Sequence, residues 1–265
     1  MVFRPGLSAW FTSPPKLRTP AAKAAFNYLL VSVVLICVFW FSLAGAGVSL
    51  NFDFVSEYRI RLWHGFLLTI EITFASLILS LAIGLPVAWA ATSRILPLRY
   101  AADIYVKLIR GTPLLVQIYL FYYIIGTAWG VNNKTVAGII ILSVFSGSYV
   151  AEIIRGSASS LDREQLQAAD AVGFTRSQKL RYVVLPQMVA RTLPALTGQF
   201  ASLIKDSSLL SVIAIIEITQ TIREITATNY NFFGGYMFLG VLYLCLTLPL
   251  MFVSSYFERK FDYAH

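Results

Sequence analysis

From Ile225 to Phe257 the chain runs 33 residues without an Asp, Glu, Lys or Arg. About 20 apolar residues suffice for a helix to cross the hydrocarbon of a bilayer. Further uncharged stretches lie at 24–52, 72–93 and 111–133. The composition agrees: 57% of the residues are hydrophobic and 13% charged, against about 25% charged in soluble domains. That leaves too little polar surface to cover a water-soluble globule, and far too much apolar surface for disorder. The sequence predicts an all-α polytopic membrane protein with six transmembrane helices and a cytoplasmic helical coupling loop.

The expected spans are 25–47, 64–92, 111–131, 135–154, 191–222 and 233–256. The fifth is interrupted by Lys205 and Asp206. The first is too long for the roughly 7–15-residue core of a signal peptide, although Ala44-Gly45-Ala46 resembles a cleavage site, so a retained helix is expected. With the N-terminus inside, the inner segments hold 16 basic residues and the outer ones four, Arg59, Arg61, Lys134 and Arg223. The positive-inside rule selects this orientation and puts both termini in the cytoplasm. The chain divides into a cytoplasmic tail (1–23), an extra N-terminal helix with an outer loop (24–61), a core of five spans (62–258) and a short C-terminal tail (259–265).

The net charge of +8 falls mainly between the apolar runs, so it orients the chain in a membrane and gives no basis for nucleic-acid binding. Two cysteines, Cys37 and Cys245, and two histidines, His64 and His265, build neither a disulfide framework nor a metal site. No cofactor is expected. The chain has no G-x-x-x-x-G-K-[ST] phosphate loop, so energy must come from a partner or an ion gradient. Ser143, Ser146 and Ser148, with Gly147, suit a small-residue packing face. No histidine within a span could serve them as a catalytic base, so the chain reads as a non-enzyme.

The one long polar stretch inside the chain, 155–190, reads as a helical hairpin. Asp162 followed by Gln165 suits a helix start. Leu166, Ala169 and Val172 form an apolar stripe. Gly173 suits a left-handed stop. Thr175 followed by Gln178 is a second capping signature, and Pro186 is expected to end or bend the second helix.

Gln167-Ala168-Ala169, Gly173 four residues on, and Leu185-Pro186 twelve residues after that resemble the EAA loop of ABC-importer permeases. Arg110-Gly111-Thr112-Pro113-Leu114-Leu115-Val116-Gln117 and Lys205-Asp206-Ser207-Ser208-Leu209-Leu210-Ser211-Val212-Ile213 are similar to two segments of the polar-amino-acid branch of that family. The likeness covers roughly 62–258. It implies a permease subunit in the bacterial inner membrane, paired with a second, identical or similar permease. Two ATP-binding-cassette subunits would drive the pair and an external solute-binding protein would feed it. It also implies that loop 160–187, through Gln167, Ala168, Ala169, Asp170, Gly173, Leu185 and Pro186, meets the ATPase. Gln167 departs from the family's usual glutamate, and the first span from its common five-span core.

Charges inside a membrane cost roughly 2.5–3.5 kcal/mol each on insertion scales and usually mark function. At 100° per residue Gly198, Gln199, Ser202, Lys205 and Asp206 share one stripe of the fifth span, while Phe200, Leu203 and Ile204 lie off it. An α-amino acid could place its ammonium on Asp206 and its carboxylate on Lys205, with Gln199 and Ser202 adding hydrogen bonds. A salt bridge that only fixes helix packing is the competing account. Glu71 either pairs across helices or lines the pathway, and Glu217 is expected to be structural. One cation and one anion favour a neutral polar or acidic amino acid, a basic one being the alternative. An ion-coupled secondary transporter would also explain intramembrane ions, but would usually show internal repeats, and none is visible.

Overall fold

The computed structural model describes Phe11, residues 20–45, Gly47 and residues 50–262. Most of the tail 1–23, Ala46 of the cleavage-like triplet and the last three residues lie outside the described residues. The chain divides into two compact units, 1–51 and 52–265. The first holds α1 (Ala21–Gly45), 25 residues long and apolar enough to cross a membrane.

In the second unit a single turn, α2 (Phe54–Glu57), leads into the 33-residue α3 (Arg59–Ala91). α4 (Leu96–Gly111) follows, then α5 (Leu114–Tyr119), prolonged as a π-helix over Leu120–Gly126. α6 (Lys134–Ser159) returns. A short α7 (Arg163–Ala171) and one turn, α8 (Arg176–Lys179), form the polar hairpin. A π-helical stretch, Leu180–Val184, joins α8 to α9 (Leu185–Asp206), and a 3₁₀ segment, Ser207–Ile213, ends it. α10 (Ile218–Asn229) and the 31-residue α11 (Phe232–Asp262) complete the fold.

Small residues let α3 and α6 approach closely. A Cβ on Gly84 would lie 2.5 Å from Val150 Cγ1, and one on Gly147 3.0 Å from Ile83 Cγ2. Ser76, Ser80, Ser143, Ser146 and Ser148 are buried along this seam. Ser76 Oγ donates to the Ile139 carbonyl at 3.3 Å, and Ser143 Oγ to the Ser76 carbonyl at 3.4 Å. Where lipid tails are as apolar as leucine, such close backbone packing and interhelical hydrogen bonding hold helices together. One apolar core, including Ile72, Ile118, Leu142, Leu203 and Leu210, joins α3, α5, α6 and α9. A second, around Phe54, Leu62, Ile222 and Leu239, joins α2, α3, α10 and α11.

The helix pattern departs from the expected six spans. Among the described residues, four helices are long and apolar enough to cross a membrane, or five if the bent pair α4 and α5 counts as one. The expected fifth span, 191–222, is broken: its helix ends at Asp206, Ala214 takes a left-handed φ of 55°, and a new helix starts at Ile218. The polar stripe that marked it as functional also keeps it below the apolarity of a lipid-facing span. α4 has no counterpart among the expected spans, because its charges place it with the inner segments. Its axis bends by 108° into α5. Thr112 and Pro113 leave the helix in extended conformation, and buried Gln117 staples the corner, its Nε2 donating to the Ile109 carbonyl (2.7 Å) and Thr112 Oγ1 (2.8 Å). Arg259 and Lys260, expected in a tail, lie in the last turns of α11.

Candidate functional site

The residues singled out in the sequence fall into two groups, one on the polar hairpin and one on α9. In the hairpin, Asp162 caps α7 by accepting from Glu164 N at 2.9 Å. The partner expected to close that box, Gln165, instead accepts from Gln187 Nε2 at 2.6 Å. The helix stops as its glycine requires. Gly173 has φ 82°, Phe174 N donates to the Ala169 carbonyl at 3.0 Å and Gly173 N to that of Asp170 at 3.0 Å, the paired closure of a left-handed cap. Thr175 and Gln178 then form a complete capping box, Gln178 N to Thr175 Oγ1 at 3.3 Å and Thr175 N to Gln178 Oε1 at 2.8 Å.

Pro186 does not end the second helix. From Arg176 to Asp206 the backbone stays helical, and the π-helical stretch just before Pro186 absorbs the missing donor. Three side-chain contacts fasten the hairpin to this long helix. Lys179 Nζ meets Asp170 Oδ1 at 2.5 Å, Gln187 holds Gln165, and Arg191 donates to both the carbonyl and the hydroxyl of Ser160. The stripe expected over Leu166, Ala169 and Val172 is only partly inward: Ala169 is buried and Leu166 half-buried, but Val172 is 76% exposed. Gln167, Ala168, Asp170, Gly173, Leu185 and Pro186 are exposed. Ala168 and Gly173 thus leave a small-residue face exposed on the doubly capped hairpin.

On α9 the stripe separates from the packing face as the helical wheel requires. Ala201, Leu203 and Ile204 are buried, whereas Gly198 and Lys205 are exposed and Gln199, Ser202 and Asp206 half-buried. Gln199 Nε2 donates to Ser146 Oγ on α6 at 3.4 Å. Among the described residues neither Lys205 nor Asp206 makes an ion pair within 4.0 Å.

Glu71 is exposed and lines a cavity of about 1100 Å³ at the start of α3, together with Arg59, Arg61 and His64. Arg61 is ion-paired with Glu224 of α10, a pair no local pattern announces because 163 residues separate its members. Glu217 is fully buried and caps α10, accepting from Thr219 N and Gln220 N, each at 2.8 Å. Tyr243 of α11 donates to it at 3.3 Å. Among the described residues no group of three His, Cys, Asp or Glu side chains could hold a metal ion.

Residues 80–263 match the family described as binding-protein-dependent transport system inner membrane component. The chain is 31% identical over 215 residues to the probable glutamine ABC transporter permease protein GlnM of Bacillus subtilis, covering 81% of this chain and 98% of the relative. It is 33% identical over 218 residues to the L-cystine transport system permease protein TcyB of the same organism, covering 82% and 93%. The glutamine transport system permease protein GlnP of Escherichia coli is 34% identical over 201 residues, 74% of this chain and 91% of that one. Among solved structures, an amino acid ABC transporter with histidines superposes with a TM-score of 0.74 at 33% identity, over 80% of this chain and 100% of that chain. The MetNI methionine ABC transporter matches the fold with a TM-score of 0.65 at 21% identity, over 77% and 98%.

Proposed function

The chain belongs to the binding-protein-dependent inner-membrane transport components, and on that premise we propose that α9 carries the amino-acid site of its translocation pathway. It is a multi-pass permease subunit of an ABC importer for amino acids and not itself a catalyst. The family implies an ATPase and a solute-binding protein as partners.

In the proposed site Asp206 receives the α-ammonium, Lys205 the α-carboxylate, and Gln199 and Ser202 give direction. The carrying observation is that Lys205 and Asp206 lie on an accessible polar stripe with no ion-pair partner among the described residues. A pair that only held helices together would be engaged with them. One charge of each sign matches a neutral polar or acidic amino acid. Relatives named for glutamine and cystine support the neutral polar member. Exposed Glu71 keeps a basic amino acid as the second reading, since it could meet a cationic side chain.

The exposed surface of α7 and its glycine turn docks the ATPase, with Gln167, Ala168, Ala169, Asp170, Gly173, Leu185 and Pro186 at or supporting the contact. A second permease, identical or similar, completes the pore of the bacterial inner membrane. Both termini face the cytoplasm.

The test is uptake by the purified importer in vesicles for Lys205→Ala, Asp206→Ala and the double variant. Loss of uptake with an assembled complex in all three is expected. If the pair were structural, each single change would cost about 3–5 kcal/mol of stability, and removing both would restore assembly and uptake; that recovery would overturn the site. Reporter fusions at both ends test the topology, and an N-terminus reporting from outside would reverse it.

A further inference from the structure

α4 crosses α6 instead of running beside it. Arg99 and Asp103 line one groove of about 290 Å³ with Glu152 and Arg155. Eleven residues further along than Arg99, about 16 Å at 1.5 Å per residue, Arg110 again reaches Glu152, at 3.7 Å. A helix whose two ends meet the same level of a spanning helix lies across it. α6 runs about 27 Å from Lys134 to Glu152, close to the roughly 30 Å of a hydrocarbon core. The level of Glu152 is therefore a membrane face, and the 108° bend is where the chain turns from that plane into α5.

The sides of α4 fit such a position. Ala102 and Ile109 are buried against the body of the protein. Leu96, Tyr100, Ile104 and Leu108, four residues apart, form an apolar ridge that is 51–63% exposed. The charged flank lies between. The acids beside it are committed: Asp103 of α4 to Lys107 at 2.8 Å, and Glu152 of α6 to Arg155 at 2.6 Å and to Arg110. Exposed Arg94, in the bend two residues before α4, and exposed Arg99 on it make no ion pair among the described residues; Arg99 only lies over the Tyr100 ring, 5.6 Å from its centroid.

We propose that α4 is an in-plane helix that sets its apolar ridge among acyl chains and holds the phosphates of anionic lipids on Arg94 and Arg99. A protein surface covering the ridge would have to bring its own carboxylates for these two arginines. A leaflet of anionic lipid presents phosphate everywhere along the helix, and each basic residue near such a surface is favoured. That the leaflet is the inner one rests on the topology proposed above. The in-plane placement does not.

The whole importer is reconstituted in nanodiscs after Cys37→Ser and Cys245→Ser, with a fluorophore on Ile104→Cys. Brominated phosphatidylglycerol is compared with brominated phosphatidylcholine, bromine being present in both leaflets so that the readout does not depend on orientation. The ridge label is expected to be quenched, with apparent affinity for phosphatidylglycerol about fivefold higher per arginine. Arg94→Gln with Arg99→Gln should make the two lipids equal, and Arg94→Lys with Arg99→Lys should keep the preference. Absence of quenching, meaning that a second copy or the ATPase covers the ridge, overturns the proposal. So does equal quenching of the unsubstituted arginine protein by both lipids.

Discussion

Two glycines contrast a closely packed seam with an open helix face. At Gly84 an added methyl would sit 2.5 Å from Val150 Cγ1 and 3.0 Å from the Gly147 carbonyl oxygen. The valine is branched and stiff, and the carbonyl belongs to the α6 backbone, so neither can swing aside. At Gly198, on the polar stripe of α9, the same methyl would meet nothing within 4 Å. Gly→Ala in a helix interior gains about 0.5–1 kcal/mol in conformational entropy, and that gain is common to both sites. The difference between Gly84→Ala and Gly198→Ala therefore isolates the overpacking cost, about 1–3 kcal/mol. At about 2–4 °C per kcal/mol for a domain of this size, the two unfolding midpoints should differ by about 2–12 °C. Gly198→Ala should lie at or above the unsubstituted protein. The assay is thermal unfolding of the purified complex, and Val150→Ala added to Gly84→Ala should recover part of the loss. Equal midpoints for the two glycine variants would refute the claim that the α3–α6 seam is packed to its limit.

Gly173→Val should strain a left-handed turn by about 1–2 kcal/mol, lowering ATPase co-purification and uptake while the spans still fold; full retention of both counts against docking at this turn. Reversing the hairpin pair, Asp170→Lys with Lys179→Asp, should retain more ATP-dependent uptake than either single change, which leaves two like charges facing each other; equal damage in the double variant would show that the pair is not the fastening. Glu217→Gln keeps an acceptor for the α10 cap, whereas Glu217→Ala leaves two buried N–H groups without one. The alanine variant should therefore unfold at lower temperature by the equivalent of about 1–3 kcal/mol, and identical midpoints would remove the cap from the account.

Much of this was legible in the chain because membrane folds obey few rules. Length and apolarity marked α1, α3, α6 and α11, and turn chemistry marked Gly173 and the Thr175–Gln178 box, since such caps depend on a handful of neighbouring atoms. The wheel separated Lys205 from Leu203 for the same local reason. What escaped was decided by distant parts. The break after Asp206 depends on α10 packing back on α3, where Thr69 Oγ1 accepts from Ile218 N at 3.1 Å. α4 escaped because three sectors, buried, charged and apolar, blur a two-sided pattern. Gln165 was drawn from its local capping role by Gln187, 22 residues away.

The unbroken helical path from Arg176 to Asp206 has a mechanical consequence. Pro194 is pinned to α11 by Ser254 Oγ, which donates to its carbonyl at 3.0 Å. That contact divides the path into arms of about 27 Å toward the hairpin and 18 Å toward Asp206. Pro194 lacks the N–H that would bond back one turn, and a proline inside a helix bends it, so α11 holds this helix at a point where it can flex. A push on the hairpin would therefore reach Lys205 and Asp206 only as far as the helix beyond Pro194 carries it. Stiffness between Pro194 and Asp206 matters as much to the stroke as the residues at either end. Loosening that short arm would let the hairpin move while the charged pair stays still.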